Sequence, residues 1–236
     1  MREFFKGLLK VLFPQRCAYC GRVVSLNSLA CDECAASLPR IEGEVCSSCG
    51  RNKAECSCSG EKYYGSIVAP FYFEGVVRKG VHQFKFRNQR QHCEAYAFEM
   101  AQTVRERLAG IDFDFITPIP MTKKSIKKRG YNQVELLADA VSEQLGIECR
   151  KDVLKKIYET GNQHSMSYFM RKGNLVGVFD VVDPDEVKGK KILICDDIST
   201  SGETLNECAK MLWLYDAQEI HCICLALTKP KKKKSD

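Results

Sequence analysis

The chain has 236 residues, 44% hydrophobic and 28% charged, with 16 Gly and 7 Pro. That composition excludes collagen-like, low-complexity and linker chains and leaves room for one full domain with a small satellite. The net charge is +6, of which the last eight residues, KPKKKKSD, carry +4 through five Lys and one Asp, so a strongly basic nucleic-acid-binding body is excluded as well.

In chain order, residues 1–15 read as an amphipathic helix. Phe4, Phe5, Leu8, Leu9, Leu12 and Phe13 share one face, interrupted by Lys6 and Lys10. Two readings stand: a helix docked on the protein's own body, or one lying at the inner face of a membrane. The stretch lacks a small-residue cleavage site and does not read as a secretory signal. No apolar run approaches the ~20 residues of a transmembrane span. The expected location is therefore cytoplasmic, either free or peripheral at the membrane.

Residues 16–60 form a cysteine-rich module holding eight of the 14 cysteines. Such a segment is too poor in apolar runs to hold itself by core burial and needs a staple. Cys17-x-x-Cys20 is followed after ten residues by Cys31-x-x-Cys34. Two such pairs bring four thiolates to one tetrahedral zinc. A second set, Cys46-x-x-Cys49 and Cys56-x-Cys58, offers a second site, so one or two zinc ions are expected. With four protein ligands each, these sites are structural and not hydrolytic. The module ends near residues 59–64 and is expected to share no core with the rest of the chain; no internal repeat is read. Cys93, Cys149, Cys195, Cys208, Cys222 and Cys224 are scattered, and Cys208, Cys222 and Cys224 read as core positions.

From residue 61 to 228 strands alternate with helices. Strands are expected over 65–73, 114–120, 191–196 and 219–227, and helices over 132–146 and 202–216, where apolar residues recur at i, i+3, i+4 and i+7. The fold class is α/β, a mostly parallel sheet with helices on both faces. The basic tail, 229–236, reads as disordered.

The stretch KILICDDISTSGETL, 191–205, carries the chemistry. An apolar strand delivers Asp196 and Asp197, and a turn of small residues, Ser199 to Gly202, opens a helix. Hydroxyls and backbone N–H groups at a helix N-terminus suit a phosphate monoester. The two acids would repel that phosphate and suit sugar hydroxyls or a shared Mg²⁺. Together these describe a phosphorylated pentose.

Asp196, Asp197, Thr200, Ser201, Gly202 and Thr204 resemble the 5-phosphoribosyl-1-pyrophosphate motif of type I phosphoribosyltransferases, with Ser in place of one Thr. Pro118-Ile119-Pro120 stands where those enzymes carry their pyrophosphate loop. It is followed by five cations between Lys123 and Arg129, of which Lys124 and Arg129 are candidates for anion contact. Arg129-Gly130-Tyr131-Asn132-Gln133, Thr160-x-x-Gln163, Arg171-x-x-Asn174-x-x-Gly177-x-Phe179 and His82-x-x-Lys85, with the cysteine module, are similar to the ComF family of competence-associated, phosphoribosyltransferase-like proteins. Met121-Thr122-Lys123 and His164-Ser165-Met166 depart from that pattern.

The resemblance implies a Rossmann-like phosphoribosyltransferase body that binds 5-phosphoribosyl-1-pyrophosphate with magnesium and transfers its phosphoribosyl group to a nitrogen nucleophile. Asp196 and Asp197 would hold the ribose diol, and Arg171 would reach the pyrophosphate from a mobile loop. Altering Asp197 or Gly202 is then expected to abolish binding without unfolding the protein. The family's link to DNA uptake keeps a second reading open, a non-catalytic module for single-stranded DNA and competence partners. No ladder of stacking aromatics is visible in the sequence.

Overall fold

The computed structural model describes residues 15–25, 28–56, 58–86, 92–157 and 178–229. The N-terminal amphipathic stretch, the Thr160–Gly177 motifs with Arg171 and His164, and the lysine tail lie outside the described residues.

The sheet runs in the order β1-β8-β7-β3-β4, with β1 Ser66–Val68, β3 Phe115–Pro118, β4 Glu148–Cys149, β7 Lys191–Ser199 and β8 Glu219–Leu227, and every pairing is parallel. β2, Phe71–Tyr72, also pairs with β8. The stretch expected as one strand over 65–73 is therefore broken before Phe71, because Pro70 has no N–H to give to the ladder. β7 over 192–195 and β8 over 222–227 are continuous apolar runs, as strands covered on both faces must be. The short α1 (Asp32–Ala36) belongs to the cysteine module, and on one face of the sheet lie α2 (Gly75–Phe86), α3 (Cys93–Arg107) and α5 (Gln133–Leu145). On the other lies α6 (Glu203–Leu214), beside an antiparallel pair, β5 (Leu154–Lys156) with β6 (Phe179–Val181). Cys208 on the inner side of α6 and Cys222 and Cys224 on β8 are all fully buried in the core on this face.

The expected helices match α5 and α6 to within a residue or two. α2 and α3 escaped the reading for compositional reasons. α2 sets its apolar stripe in two glycines and three valines, all weak helix formers, while α3 buries Cys93, Tyr96, Met100, Thr103 and Val104 among three alanines and has only a weak stripe. The basic run is not a loop. It folds as α4 (Lys123–Arg129), started by Thr122, whose hydroxyl accepts from the Ser125 N–H at 3.1 Å.

Two expectations about the cysteine module are overturned. The module is a tandem repeat. Cys17-x-x-Cys20-Gly21-Arg22 and Cys46-x-x-Cys49-Gly50-Arg51 fold alike: the first Cys donates its N–H to the Arg carbonyl at 2.8 and 2.9 Å, and the Gly donates to that Cys carbonyl at 2.9 and 2.7 Å. Each knuckle is flanked by the same antiparallel bridge, Arg16 with Val23 and Val45 with Asn52. The module also shares the body's core. Cys17, Ala18, Tyr19 and Cys34 are buried in one cluster with Phe71, Val77, Phe84 and Tyr96. The Tyr19 ring packs edge-on against Phe71 at 6.2 Å, and the Tyr96 hydroxyl donates to the Ala18 carbonyl at 2.6 Å. A segment with few apolar residues of its own gains its burial by placing its turn residues on a neighbour.

Candidate functional site

β7 carries both acids, and strand alternation sends them to opposite faces. Asp197 turns toward α2 and α5. Lys85 at the end of α2 brings its Nζ within 2.8 Å of both carboxylate oxygens, and Gln133 at the start of α5 donates from Nε2 to Oδ2 at 2.9 Å. Asp197 is only 4% exposed. Asp196 follows Ile192 and Ile194 on the α6 side and is half-buried, with its Oδ1 accepting from the Asp197 N–H at 2.7 Å. Burial, and then the charge of Asp197, push the Asp196 carboxyl up from its ordinary 3.8 to about 8. One acid is locked by a cation while its neighbour is drawn toward the neutral, proton-donating form.

The segment 129–133 builds this corner residue by residue. Arg129 alone of the five cations in α4 turns inward, its guanidinium 5.7 Å over the Phe86 ring, while the four lysines are exposed. Gly130 caps α4 in the left-handed region, and the Tyr131 ring is buried edge-on against Phe84 at 6.0 Å. Asn132 caps α5, its Oδ1 accepting from the N–H groups of Val134 and Glu135 at 3.1 and 3.3 Å. That cap aims Gln133 at Asp197. Beside it, Pro118-Ile119-Pro120 leaves the end of β3, and the Ile119 N–H donates to the Cys195 carbonyl at 2.9 Å. The turn is thereby fixed next to the acids.

Past Asp197 the strand ends in the turn that opens α6. Ser199 is buried and Thr200 and Ser201 are exposed. Gly202, the N-cap residue, has φ +80°, where a side chain strains the backbone. No described group accepts from the Ser201 or Gly202 N–H. The turn therefore presents backbone donors and hydroxyls at a helix N-terminus, on the carboxyl-end side of a parallel sheet where ligands gather.

The two cysteine sets, Cys17 with Cys20, Cys31 and Cys34, and Cys46 with Cys49, Cys56 and Cys58, each gather four sulfurs within 4.8 Å of one another. Sulfurs 2.3 Å from a tetrahedral zinc stand ~3.8 Å apart. Cys20–Cys31, Cys46–Cys58 and Cys49–Cys56 are each 3.7 Å apart, and Cys56–Cys58, the Cys-x-Cys half, 3.2 Å. All eight thiols are free of disulfides. Both donor sets fit structural zinc.

Residues 8–65 match the double zinc ribbon domain family and residues 128–236 the phosphoribosyl transferase domain family. The DNA utilization protein YhgH of Salmonella typhimurium is 27% identical over 215 residues, 90% of each chain. Competence protein F of Haemophilus influenzae is 26% identical over 226 residues, 91% of this chain and 97% of that one. Competence protein ComFC of Bacillus subtilis is 24% identical over 196 residues, 77% of each. These relatives, with the two matched domains, support a ComF family protein.

In this chain the structure brings Asp196, Asp197, Arg129 and the 118–120 turn into one corner, with the Thr200–Gly202 turn at the end of the same strand. Thr204 lies in the first turn of α6, and Lys124 is on the exposed side of α4. Arg171 lies outside the described residues. Two residues of the corner carried no role in the sequence reading, Lys85 and Gln133. Both stood in motifs, His82-x-x-Lys85 and the 129–133 segment, but their spacing gives no sign that they meet at one carboxylate. Among the described residues no helix is long and apolar enough to cross a membrane.

Proposed function

We propose that the chain binds 5-phosphoribosyl-1-pyrophosphate at the carboxyl ends of β3 and β7 and transfers its phosphoribosyl group to a nitrogen nucleophile, in the DNA-uptake setting that the relatives' names indicate. The observation that carries this reading is the turn 199–202, backbone donors at a helix start directly beyond two acids. The 5-phosphate belongs on Thr200, Ser201, Gly202 and Thr204, the ribose hydroxyls beside Asp196, and the pyrophosphate beside Pro118-Ile119-Pro120 with Arg129, joined by Lys124 and by Arg171 from the segment beyond β5. Magnesium fits as a passenger of the ligand. Asp197 is taken up by Lys85 and Gln133 and Asp196 is drawn toward neutrality, so among the described residues this corner offers no carboxylate cage, and the ion's natural oxygens are those of the diphosphate. When bound it would neutralise charge on the leaving pyrophosphate.

Titration calorimetry with the magnesium complex of 5-phosphoribosyl-1-pyrophosphate tests the reading, followed by pyrophosphate release with candidate bases. A Cβ at Gly202 would stand 3.3 Å from the Tyr64 hydroxyl with φ in the left-handed region, so Gly202→Val is expected to weaken binding at least a hundredfold with the zinc content unchanged. Wild-type protein that binds no diphosphate sugar would sink the reading.

A second reading, single-stranded DNA binding, is favoured by a surface that the sequence did not reveal. Tyr63 and Trp213 pack with their rings tilted at 53° and centroids 5.4 Å apart, Lys210 lies 5.4 Å over Tyr63, and Trp213 is 55% exposed beside a groove of about 400 Å³. Aromatic faces with a nearby cation accept stacked bases of any sequence. Trp213 is the one tryptophan of the chain, so binding should quench its fluorescence, and Tyr63→Ala should abolish the quenching. Tight oligonucleotide binding with unmoved fluorescence would place the strand elsewhere.

A further inference from the structure

The two knuckles of the ribbon share one local fold but use their last residue differently. In the first, Arg22 stays within its own unit, pairing with Glu33 and reaching the Cys31 sulfur at 3.6 Å. In the second, the equivalent Arg51 keeps a side-chain contact with Cys49 of its own unit and also reaches beyond it. Its Nε donates to the Thr228 carbonyl at 2.7 Å, just past β8, and its Nη2 donates to the Thr200 carbonyl at 2.5 Å. We propose that Arg51 is a positioning residue for the phosphate-binding turn, and that the second cysteine site serves as the brace that holds Arg51 in place. The proposal rests on the reading of the 199–202 turn as the phosphate site.

Peptide geometry gives the contact its meaning. Across a planar trans peptide the carbonyl of one residue and the N–H of the next point in opposite directions. A Thr200 carbonyl held toward Arg51 therefore aims the Ser201 N–H away from the ribbon, as a donor that no described group accepts from. The Thr228 hydroxyl donates to the same carbonyl at 3.4 Å, and the Thr228 N–H donates to the Ser199 carbonyl at 3.1 Å. Arg51 thus ties the turn to the end of β8 at two points. Without it, the Thr200 peptide is left with the longer Thr228 contact and is free to rotate its donor out of line.

The knuckle is seated closely enough to serve as a fixed base. The Ser47 carbonyl accepts from the Ile67 N–H at 2.9 Å, and the Ser48 carbonyl accepts from the Tyr64 hydroxyl at 2.8 Å. At Gly50 an added Cβ would stand 2.8 Å from both the Ile67 carbonyl oxygen and Leu227 Cδ1, with φ at +70°. That approach admits only glycine. Tyr64 links the same knuckle to the Gly202 side of the turn. The second tetrad therefore stands behind the phosphate turn on contacts from Ser47, Ser48, Gly50 and Arg51, whereas the first is packed into the α2–α3 core.

Arg51→Ala and Arg51→Lys, made in the full chain, test the proposal by calorimetry with three probes: 5-phosphoribosyl-1-pyrophosphate with magnesium, ribose 5-phosphate, and pyrophosphate. Arg51→Ala is expected to weaken the two sugar phosphates tenfold or more and to leave pyrophosphate unmoved, because the 118–120 turn does not touch Arg51. Lysine can reach one carbonyl and should restore part of the loss. Zinc content and thermal midpoint should match the wild type in both variants. Unchanged ribose 5-phosphate affinity in Arg51→Ala, or an equal loss for pyrophosphate, overturns the proposal. Should the wild type bind none of the three, the ligand reading fails, and amide exchange in the free protein decides on Arg51. Faster exchange at Thr228, whose N–H bonds the Ser199 carbonyl, in Arg51→Ala upholds the positioning role, and an unchanged rate there ends it.

Discussion

Loss of zinc from the first cysteine site is expected to unfold the entire chain, sheet included. Cys17 and Cys34 are 0% and 3% exposed, and the Ala18 and Tyr19 between the first ligand pair are as deeply buried as the sheet residues they touch. Without metal the site leaves four thiols crowded in the seam between the ribbon and α2–α3, and the knuckle that shapes Tyr19 against Phe71 and Tyr96 loses its closure. Structural zinc contributes on the order of 10 kcal/mol or more to such a unit, which matches or exceeds the ~5–15 kcal/mol of a typical domain. Cys34→Ser, or a chelator titration followed by far-ultraviolet circular dichroism, should show helix and sheet signals falling in step with release of the more tightly held zinc. The second site presents an exposed ligand, Cys58, so Cys58→Ser should shed its metal with the sheet intact. A sheet signal that survives loss of the first zinc would contradict the shared core.

The strands β7, read only as far as Asp196, and β8 were legible because runs rich in Ile, Leu and Cys such as 192–195 and 222–227 have few other uses. The 199–202 turn was legible because acids, hydroxyls and glycine follow a strand in a fixed order. The acids' divergence was implicit in the same residues, since neighbours on a strand face opposite ways, yet their partners were not. Nothing in the spacing of Lys85, Gln133 and Asp197 announces that a helix end and a helix start converge on one carboxylate; that is decided by how α2 and α5 pack. The ribbon's two tetrads could be read from cysteine spacing, but their seats could not. The repeated Cys-x-x-Cys-Gly-Arg stood in plain view, while the divergent use of Arg22 and Arg51 depends on contacts with residues far along the chain. Tyr19 was hidden for a similar reason: a tyrosine inside a metal knuckle reads as turn decoration until a neighbouring core receives it.

Asp197→Ala is expected to destabilise the protein by about 3–5 kcal/mol, the usual result of leaving one member of a buried ion pair alone. The side chains of Lys85 and Asp197 are 15% and 6% exposed, so the stranded ammonium has little water to turn to, and Gln133 loses the acceptor for its Nε2. Asp197 is therefore not the clean binding probe that the sequence implied, because a variant there loses fold stability together with any ligand affinity. Lys85→Met combined with Asp197→Leu removes both charges and should recover most of the loss; a double variant as unstable as Asp197→Ala would deny the pairing. The neighbour supplies the pH arm. With the Asp196 carboxyl raised from 3.8 to about 8 in the fold, the unfolded chain sheds this proton near pH 4 while the folded chain keeps it until near 8. The unfolded state thus binds fewer protons between those limits, and stability falls as pH rises, by up to about 1.4 kcal/mol per unit. Urea midpoints from pH 5 to 8 should show the wild type losing ground steadily to Asp196→Asn, which has no proton to lose. In Asp197→Ala the decline should be shallower and should end at lower pH, because the neighbouring charge that helps to raise the Asp196 carboxyl is gone. Parallel profiles for the wild type and Asp196→Asn would show that the carboxyl is already ionised in the fold at neutral pH.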